Sequence, residues 1–360
     1  MKPVITEHTL KQRLKEGESL DAIVAGALLT PSAKDYLRDR EARERRAPAR
    51  PPAGPVVPDR EFRWKPGSDP KTPEEIERFF RSPEIEALKA RMVDMGRRMW
   101  QKDYTDGNGG NLTIRVGDNL VLCTPTLVSK GFMKPEDMCL VDLEGRQLAG
   151  RLKRTSEVMT HIGIFKEVPE AKACCHAHPP HATAFAVAKT PPPTCLIPEA
   201  EVFLGQIGMA EYRTPGTPDN AKVVGEVAAK GHMAILMLNH GVITWGKDIE
   251  DAYWKMENTD TYCRTVWVAS QLGSELSPIS GKEAKELIEL RKSLGMKDVR
   301  ETWKECELCD NSEFRPGVVC QNPPPAPAAR RGDASADGGV EDLDEVVRRI
   351  TDEIMRQLGA

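Results

Sequence analysis

Apolar positions recur at helical spacing in several stretches of the chain and alternate, or run together, in shorter stretches between them. In "SPEIEALKARMVDMGRRMW", Ile85, Leu88, Met92, Met95 and Met99 fall on one face, the pattern of an amphipathic helix. Ser82 is its expected N-cap and Pro83 its first helical residue, with Glu84 and Glu86 in the first turn, where the helix dipole favours acids. Short β-like runs follow in "NLTIRV", "NLVLCTP" and "MCLVDLEG". A second helix is expected over roughly 156–166 with Met159, Ile162 and Phe165 inward, then a strand "AKACCHAH" and a helix "HATAFAVAK". "MAILMLNHGVITWG" reads as two strands. Asp248 then caps a helix to about Leu272, with Asp251 three residues on and Gly273 just past its end. This alternation predicts an α/β fold, a three-layer α/β/α domain around a central, largely antiparallel sheet.

The patterned part covers residues 75–300. Ahead of it, 1–40 predicts a helical N-terminal extension with a helix start at Thr30 and Pro31, and 41–74 an Arg- and Pro-rich linker. Behind it come a cysteine-bearing segment, 301–321, and a Pro/Ala/Gly linker, 322–339. In 340–360, Val340, Leu343, Val346, Val347, Ile350, Ile354 and Leu358 form an apolar stripe with charges opposite. A helix this short is marginal alone in water, so it is expected to fold against a partner.

With 39% hydrophobic and 29% charged residues in 360, the chain can bury a sizeable core and still leave segments unpacked. A net charge of −4 gives no general case for nucleic-acid or membrane binding. No apolar run approaches the roughly 18 residues of a membrane span, and "MKPVITEHTLKQRLKEG" lacks the apolar stretch of a secretory signal. A soluble cytoplasmic protein is expected, and its nine cysteines then read as reduced thiols. Cys306 and Cys309 form a Cys-x-x-Cys pair with Cys320 beyond. Three cysteines fall short of the four ligands of a structural zinc site, so ordinary thiols are the expectation.

Candidate chemistry concentrates in "CCHAHPPH", residues 174–181, which holds three of the seven histidines. In a strand His176 and His178 project to one side together with Cys174, and two imidazoles on one face suit a divalent metal that needs at least one more ligand. His181 follows Pro-Pro at a helix start, where a cap or packing role is the plainer reading. His240 in "LNHGVITWG" is the better third ligand, placed where an apolar strand turns, with Gly241 open to unusual backbone angles. Glu157 in "KRTSEVMTH" is either a first-turn acid or a carboxylate for proton chemistry. "DGNGGNLTIRV" offers a Gly-rich turn for an anion, and "CTPTLVSKG" adds hydroxyls and Lys130. Together with "RTSE" these would supply the donors a phosphate needs.

In this order, Gly-Gly-Asn, Thr-Pro-Thr, Thr-Ser-Glu, His-Ala-His and Asn-His-Gly resemble the class II aldolase/adducin family over about residues 83–275. The resemblance implies that His176, His178 and His240 hold one Zn2+ per subunit and that Glu157 is the catalytic carboxylate. Epimerases of the family carry Asp there, so Glu points to aldol chemistry. Asn111, Thr126, Thr155 and Ser156 fall on the phosphate-binding positions, with Lys130 nearby. Tyr212 in "EYRTPGT" matches a tyrosine that serves a neighbouring subunit's site in a homotetramer. The implied reaction is reversible cleavage of a ketose 1-phosphate, L-fuculose or L-rhamnulose 1-phosphate, to dihydroxyacetone phosphate and L-lactaldehyde. A sugar-phosphate 4-epimerase, dehydratase or decarboxylase could use the same metal site. An adducin-like assembly domain, which lacks these histidines, is the non-catalytic alternative. One departure stands out: Leu127 occupies the Gly of the family's Thr-Pro-x-Gly loop, and its Cβ is expected to hinder phosphate approach. The tethered stripe at 340–360 resembles peptides that direct enzymes into bacterial microcompartments, which implies a shell-protein partner and a location inside one.

Overall fold

The structure, a computed structural model, describes residues 3–46 and 59–314. Cys320, the linker at 322–339 and the helix at 340–360 lie outside the described residues, as does part of the 41–74 linker.

Residues 3–46 hold β1 (Val4–Ile5), α1 (Glu7–Lys15), α2 (Leu20–Val24), β2 (Leu28–Leu29) and α3 (Pro31–Arg46). The hydroxyls of Thr6 and Ser19 cap the first two helices, and Thr30 Oγ1 accepts from Ala33 N at 3.3 Å at the start of α3. β1 and β2 pair in parallel beside a small core of Ile5, Leu10, Ile23 and Ala33. Two features depart from the expected linker. α3 continues to Arg46, because its Ala-, Arg- and Glu-rich end favours helix. Further on, Trp64 Nε1 donates to Asp118 Oδ1 at 2.8 Å, and Asp69 accepts from the backbone N–H of Asp118 (3.0 Å) and Asn119 (2.7 Å). Asp69 thus ties down the turn at 117–119 through two backbone N–H groups, a pairing across about 50 residues that local composition does not reveal.

The main domain runs α4 (Pro73–Phe80), α5 (Pro83–Gln101), β3 (Asn111–Arg115), β4 (Val121–Cys123), β5 (Cys139–Val141), β6 (Gln147–Ala149), α6 (Val158–Glu167), β7 (Ala173–Ala177) and α7 (Pro180–Ala188). It continues through α8 (Pro198–Phe203), β8 (Gly208–Ala210), α9 (Pro218–Ala229), β9 (Ala234–Met237), β10 (Gly241–Gly246) and α10 (Ile249–Ser270) to α11 (Gly281–Ser293) and α12 (Glu305–Leu308). Eight strands form one sheet in the order β6-β5-β4-β3-β7-β10-β9-β8, antiparallel except for β8 beside β9. On one face, Val158, Ile162 and Phe165 of α6 and Val224 and Ala228 of α9 join Cys174, Ile235 and Ile243 in the main core. α5, α7 and α10 pack against the strands with the other layer of helices. This is the expected three-layer, largely antiparallel architecture.

The sheet's connectivity gathers the motifs. Asn111, at the start of β3, pairs with His176 near the end of β7, which pairs with Ile243 near the start of β10. Cys123, ending β4, pairs with Thr113 of β3, and β8 runs parallel to β9 so that both finish beside the β9–β10 turn. All the quoted motifs therefore meet at one end of the sheet.

One expectation fails here. Cys195 and Cys309 form a disulfide across 114 residues, where reduced thiols were expected. Folding brings them together: Thr194 Oγ1 donates to Leu308 O at 2.9 Å, and Cys195 packs with Ala284, Ile288 and Leu308. Cys306 remains free and exposed, and Cys123, Cys139, Cys174, Cys175 and Cys263 are free and buried. No described helix is long and apolar enough to cross a membrane.

Candidate active site

β7 ends at Ala177 because Pro179 and Pro180 follow, and Pro180 opens α7. His176 therefore lies in the sheet and His178 just beyond it, its backbone N–H donating to Tyr104 O at 2.9 Å. His240 comes from the β9–β10 turn, where its N–H donates to Met237 O at 3.0 Å. The turn's left-handed residue is Asn239, with φ 56°. Gly241 has a different purpose from the expected one: a Cβ there would collide with the His178 ring and stand 2.7 Å from Ala177 O. It is glycine to leave room for the imidazoles.

The rings of His176, His178 and His240 lie 4.8 to 5.2 Å apart, centroid to centroid. Their nearest ligand atoms fall within 4.8 Å of one another. His176 Nδ1 hydrogen-bonds to Val242 O at 2.8 Å and His178 Nδ1 to Asp106 Oδ1 at 3.0 Å, which leaves each Nε2 free to face inward. Those Nε2 atoms, His240 Nδ1 and Glu157 Oε1 are buried with no hydrogen-bond partner. Orphaned polar atoms carry a real cost, and three imidazoles with ligand nitrogens this close together fit a divalent metal.

Glu157 stands at the N-cap of α6, its side chain only 14% exposed, with Oε2 3.3 Å from His176 Nε2 and Oε1 3.5 Å from His240 Nε2. Asn111 Nδ2 donates to Glu157 Oε2 at 2.9 Å, so Asn111 orients the carboxylate. Thr155 is buried, its N–H on Thr124 O at 3.0 Å and its Oγ1 accepting from Glu157 N at 3.3 Å. Ser156 is exposed and Thr126, half-buried, donates its N–H to Lys153 O at 2.9 Å. These hydroxyls rim the end of the sheet that holds the histidines. Tyr212 is 49% exposed in the stretch after β8, at that same end. Gly216 of that stretch lies against Ser156, since a Cβ on it would stand 2.9 Å from Ser156 O.

A model of the class II aldolase and adducin N-terminal domain matches residues 90–267. The 3-oxo-tetronate 4-phosphate decarboxylase of Haemophilus influenzae is 34% identical over 206 residues, which is 56% of this chain and 96% of the relative. This chain belongs to the class II aldolase and adducin family. An L-fuculose phosphate aldolase of Methanococcus maripaludis is 35% identical over 175 residues, 49% of this chain and 93% of that protein. Among solved structures, YgbL of Klebsiella pneumoniae superposes with a TM-score of 0.52 at 25% identity, covering 56% of this chain and 98% of that one. With relatives named as aldolase and decarboxylase, this class II family member is an enzyme.

Burial and neighbouring charges shift two residues in this class II aldolase domain. Burial pushes the Glu157 carboxyl up, but the charges of His176 and His240 and the Asn111 hydrogen bond outweigh burial and hold it well below the usual carboxylate range. Glu157 is therefore ionised at neutral pH. Lys130 is 1% exposed, and its ammonium donates to Asn108 O at 2.9 Å and to Val128 O. It joins the Gly-rich turn to the Thr-Pro-Thr loop; burial lowers its pKa to about 8 against the pull of Glu157. Leu127 keeps the conformation that glycine takes freely, with φ 58°, and its side chain is 79% exposed. Its backbone therefore follows the course expected of the glycine.

Two residues beside the histidines have contacts that the sequence does not single out. His161, isolated in the sequence, reads there as a surface or helix-packing residue. His161, fully buried one turn into α6, hydrogen-bonds through Nδ1 with Thr113 Oγ1 at 2.8 Å. Its four-residue spacing from Glu157 was the available signal. Asp106 lies inside the quoted Gly-rich turn, which by sequence reads only as an anion cradle.

Proposed function

We propose that this enzyme is a metal-dependent carbon–carbon lyase that cleaves a ketose 1-phosphate, L-fuculose or L-rhamnulose 1-phosphate, reversibly to dihydroxyacetone phosphate and L-lactaldehyde. The observation that carries it is the cluster of His176, His178 and His240, whose ligand nitrogens lie within 4.8 Å of one another, with the Glu157 carboxylate against His176 and His240. Those three residues would hold the metal, zinc by ligand type, which when bound supplies Lewis-acid polarisation of the substrate carbonyl. Glu157 takes the C3 proton as a general base in the synthetic direction and returns it on cleavage. Asn111 keeps that carboxylate aimed through its 2.9 Å hydrogen bond. Thr126, Thr155 and Ser156 supply hydroxyls for the phosphate, and Lys130 keeps their loop in place. Tyr212, exposed at the same end of the sheet, exchanges a proton with the aldehyde oxygen in a neighbouring subunit of a homotetramer.

The test is release of dihydroxyacetone phosphate from L-fuculose 1-phosphate by purified protein, with and without a strong chelator. Release that the chelator abolishes and zinc restores is the expected result. No release from metal-loaded protein with either ketose 1-phosphate would overturn the aldolase reading. The match to the Haemophilus influenzae decarboxylase over 96% of its length favours a second reading, decarboxylation of a sugar-acid phosphate on the same site, which release of carbon dioxide would reveal. We also propose, on the sequence pattern of 340–360 alone, that the enzyme is microcompartment cargo. Failure of a fluorescent protein fused to residues 322–360 to enrich shell proteins over a charge-matched scramble counts against that.

A further inference from the structure

His176 and His178 are oriented by different means. His176 Nδ1 is held by a main-chain carbonyl, that of Val242, whereas His178 Nδ1 is held by a side chain, Asp106 Oδ1, at 3.0 Å. Asp106 sits in "DGNGG", and the geometry of that turn is built around its carboxylate. A Cβ on Gly109 would overlap Asp106 Oδ1, stand 3.2 Å from its Cγ, and come 3.5 Å from His178 Nδ1. Gly109 does not have a positive φ, so its missing side chain serves space and not backbone freedom. The turn is closed by Gly109 N–H on Asp106 O at 3.3 Å and pinned from below by the buried Lys130 ammonium on Asn108 O at 2.9 Å.

We infer that Asp106 is a positioning residue for the metal site, one that fixes the tautomer and direction of His178 and strengthens it as a ligand. A carboxylate accepting the Nδ1 proton of an imidazole leaves the Nε2 lone pair free and more basic. That Nε2 is one of the buried partnerless atoms. Gly109 is the space that lets the carboxylate reach its place, and Lys130 anchors the turn through Asn108 O. The inference rests on the metal reading of the three histidines.

The experiment uses the full chain, stripped of metal and titrated with Co2+ and with Zn2+ against a chromophoric chelator. Asp106→Asn and Asp106→Ala are expected to bind each metal about 10- to 100-fold more weakly than the parent, with the visible Co2+ bands shifted and the unfolding of the metal-free protein unchanged. Gly109→Ala, which displaces the carboxylate without removing it, is expected to weaken binding in the same direction. Parent-like affinity and an unshifted Co2+ spectrum in both Asp106 variants overturn the inference while leaving the metal site intact. A parent protein that binds neither metal, like His176→Ala, overturns the metal reading itself, and this inference with it.

Discussion

By helix propensity alone, Gly163→Ala should stabilise this protein by about 0.8–1.0 kcal/mol, since Gly163 lies inside α6. The packing reverses the sign. A Cβ on Gly163 would stand 3.0 Å from the carbonyl carbon of Ala221 and 3.3 Å from its Cα, with the carbonyl oxygen closer still. Those are backbone atoms of α9, so no change of rotamer relieves the clash. Carbon atoms in contact sit about 3.5–4.0 Å apart, and the carbonyl oxygen, the nearest of the three, sets the demand, so the two helices must separate by close to an ångström. The seam is tight from the other side too, since a Cβ on Gly225 would lie 3.0 Å from Gly163 O. Overpacking of this kind costs about 1–3 kcal/mol, and more when backbone has to move. The net expectation is a loss of about 1–2 kcal/mol, or about 2–4 °C of Tm per kcal/mol for a domain of this size. Urea unfolding followed by circular dichroism measures it, with the slope against urea unchanged. Because Glu157 stands at the N-terminal end of α6, turnover should fall as well. An alanine variant as stable as the parent, or more so, would refute the close approach of α6 and α9.

Glu157→Gln should lower kcat by about 10²- to 10⁴-fold while bound metal is retained; unchanged turnover sinks the carboxylate assignment. Leu127→Gly should keep or raise stability, because a left-handed L-residue costs about 1–2 kcal/mol, only partly offset by the greater chain entropy of glycine. A loss of more than about 1 kcal/mol would show that the exposed leucine makes a contact in the assembled protein. Acid should destabilise the fold through His161, whose pKa burial, aided by the charge of His176, lowers from 6.5 to about 3. Between those values the unfolded chain binds a proton that the folded one refuses. The His161 contribution is complete above pH 6.5 and is lost as pH falls towards 3, at up to about 1.4 kcal/mol per pH unit. His161→Asn should flatten that limb of a stability–pH curve, and an identical limb in the variant would refute the shift.

Much of the helical framework was legible because its signals are local. Ser82 with Pro83 before α5, and Asp248 before α10, place the caps where the structure has them, since a cap is decided within a few residues. The pairing of His176 with His178 was legible as strand alternation, although β7 ends at Ala177 and His178 lies just beyond it. The three-residue strands β6 and β8 were not, because their partners lie elsewhere in the chain and so short a run carries no period of its own. α8 and α9 begin at Pro198 and Pro218, and only the second has a hydroxyl cap, Thr217, to announce it.

At the site, the sequence by itself determined which groups are present: three histidines, a glutamate and hydroxyls whose chemistry suits a metal and a phosphate. Tertiary structure alone decided what each does there. It turned Lys130 inward onto two carbonyls, made Gly241 and Gly109 matters of space, and joined Cys195 to Cys309 across 114 residues. It also set the ionisation of Glu157, which burial alone would have pushed the other way. The reason is common to all of them: residue type and local spacing are properties of neighbours in the chain, whereas room, charge environment and burial are properties of neighbours in space.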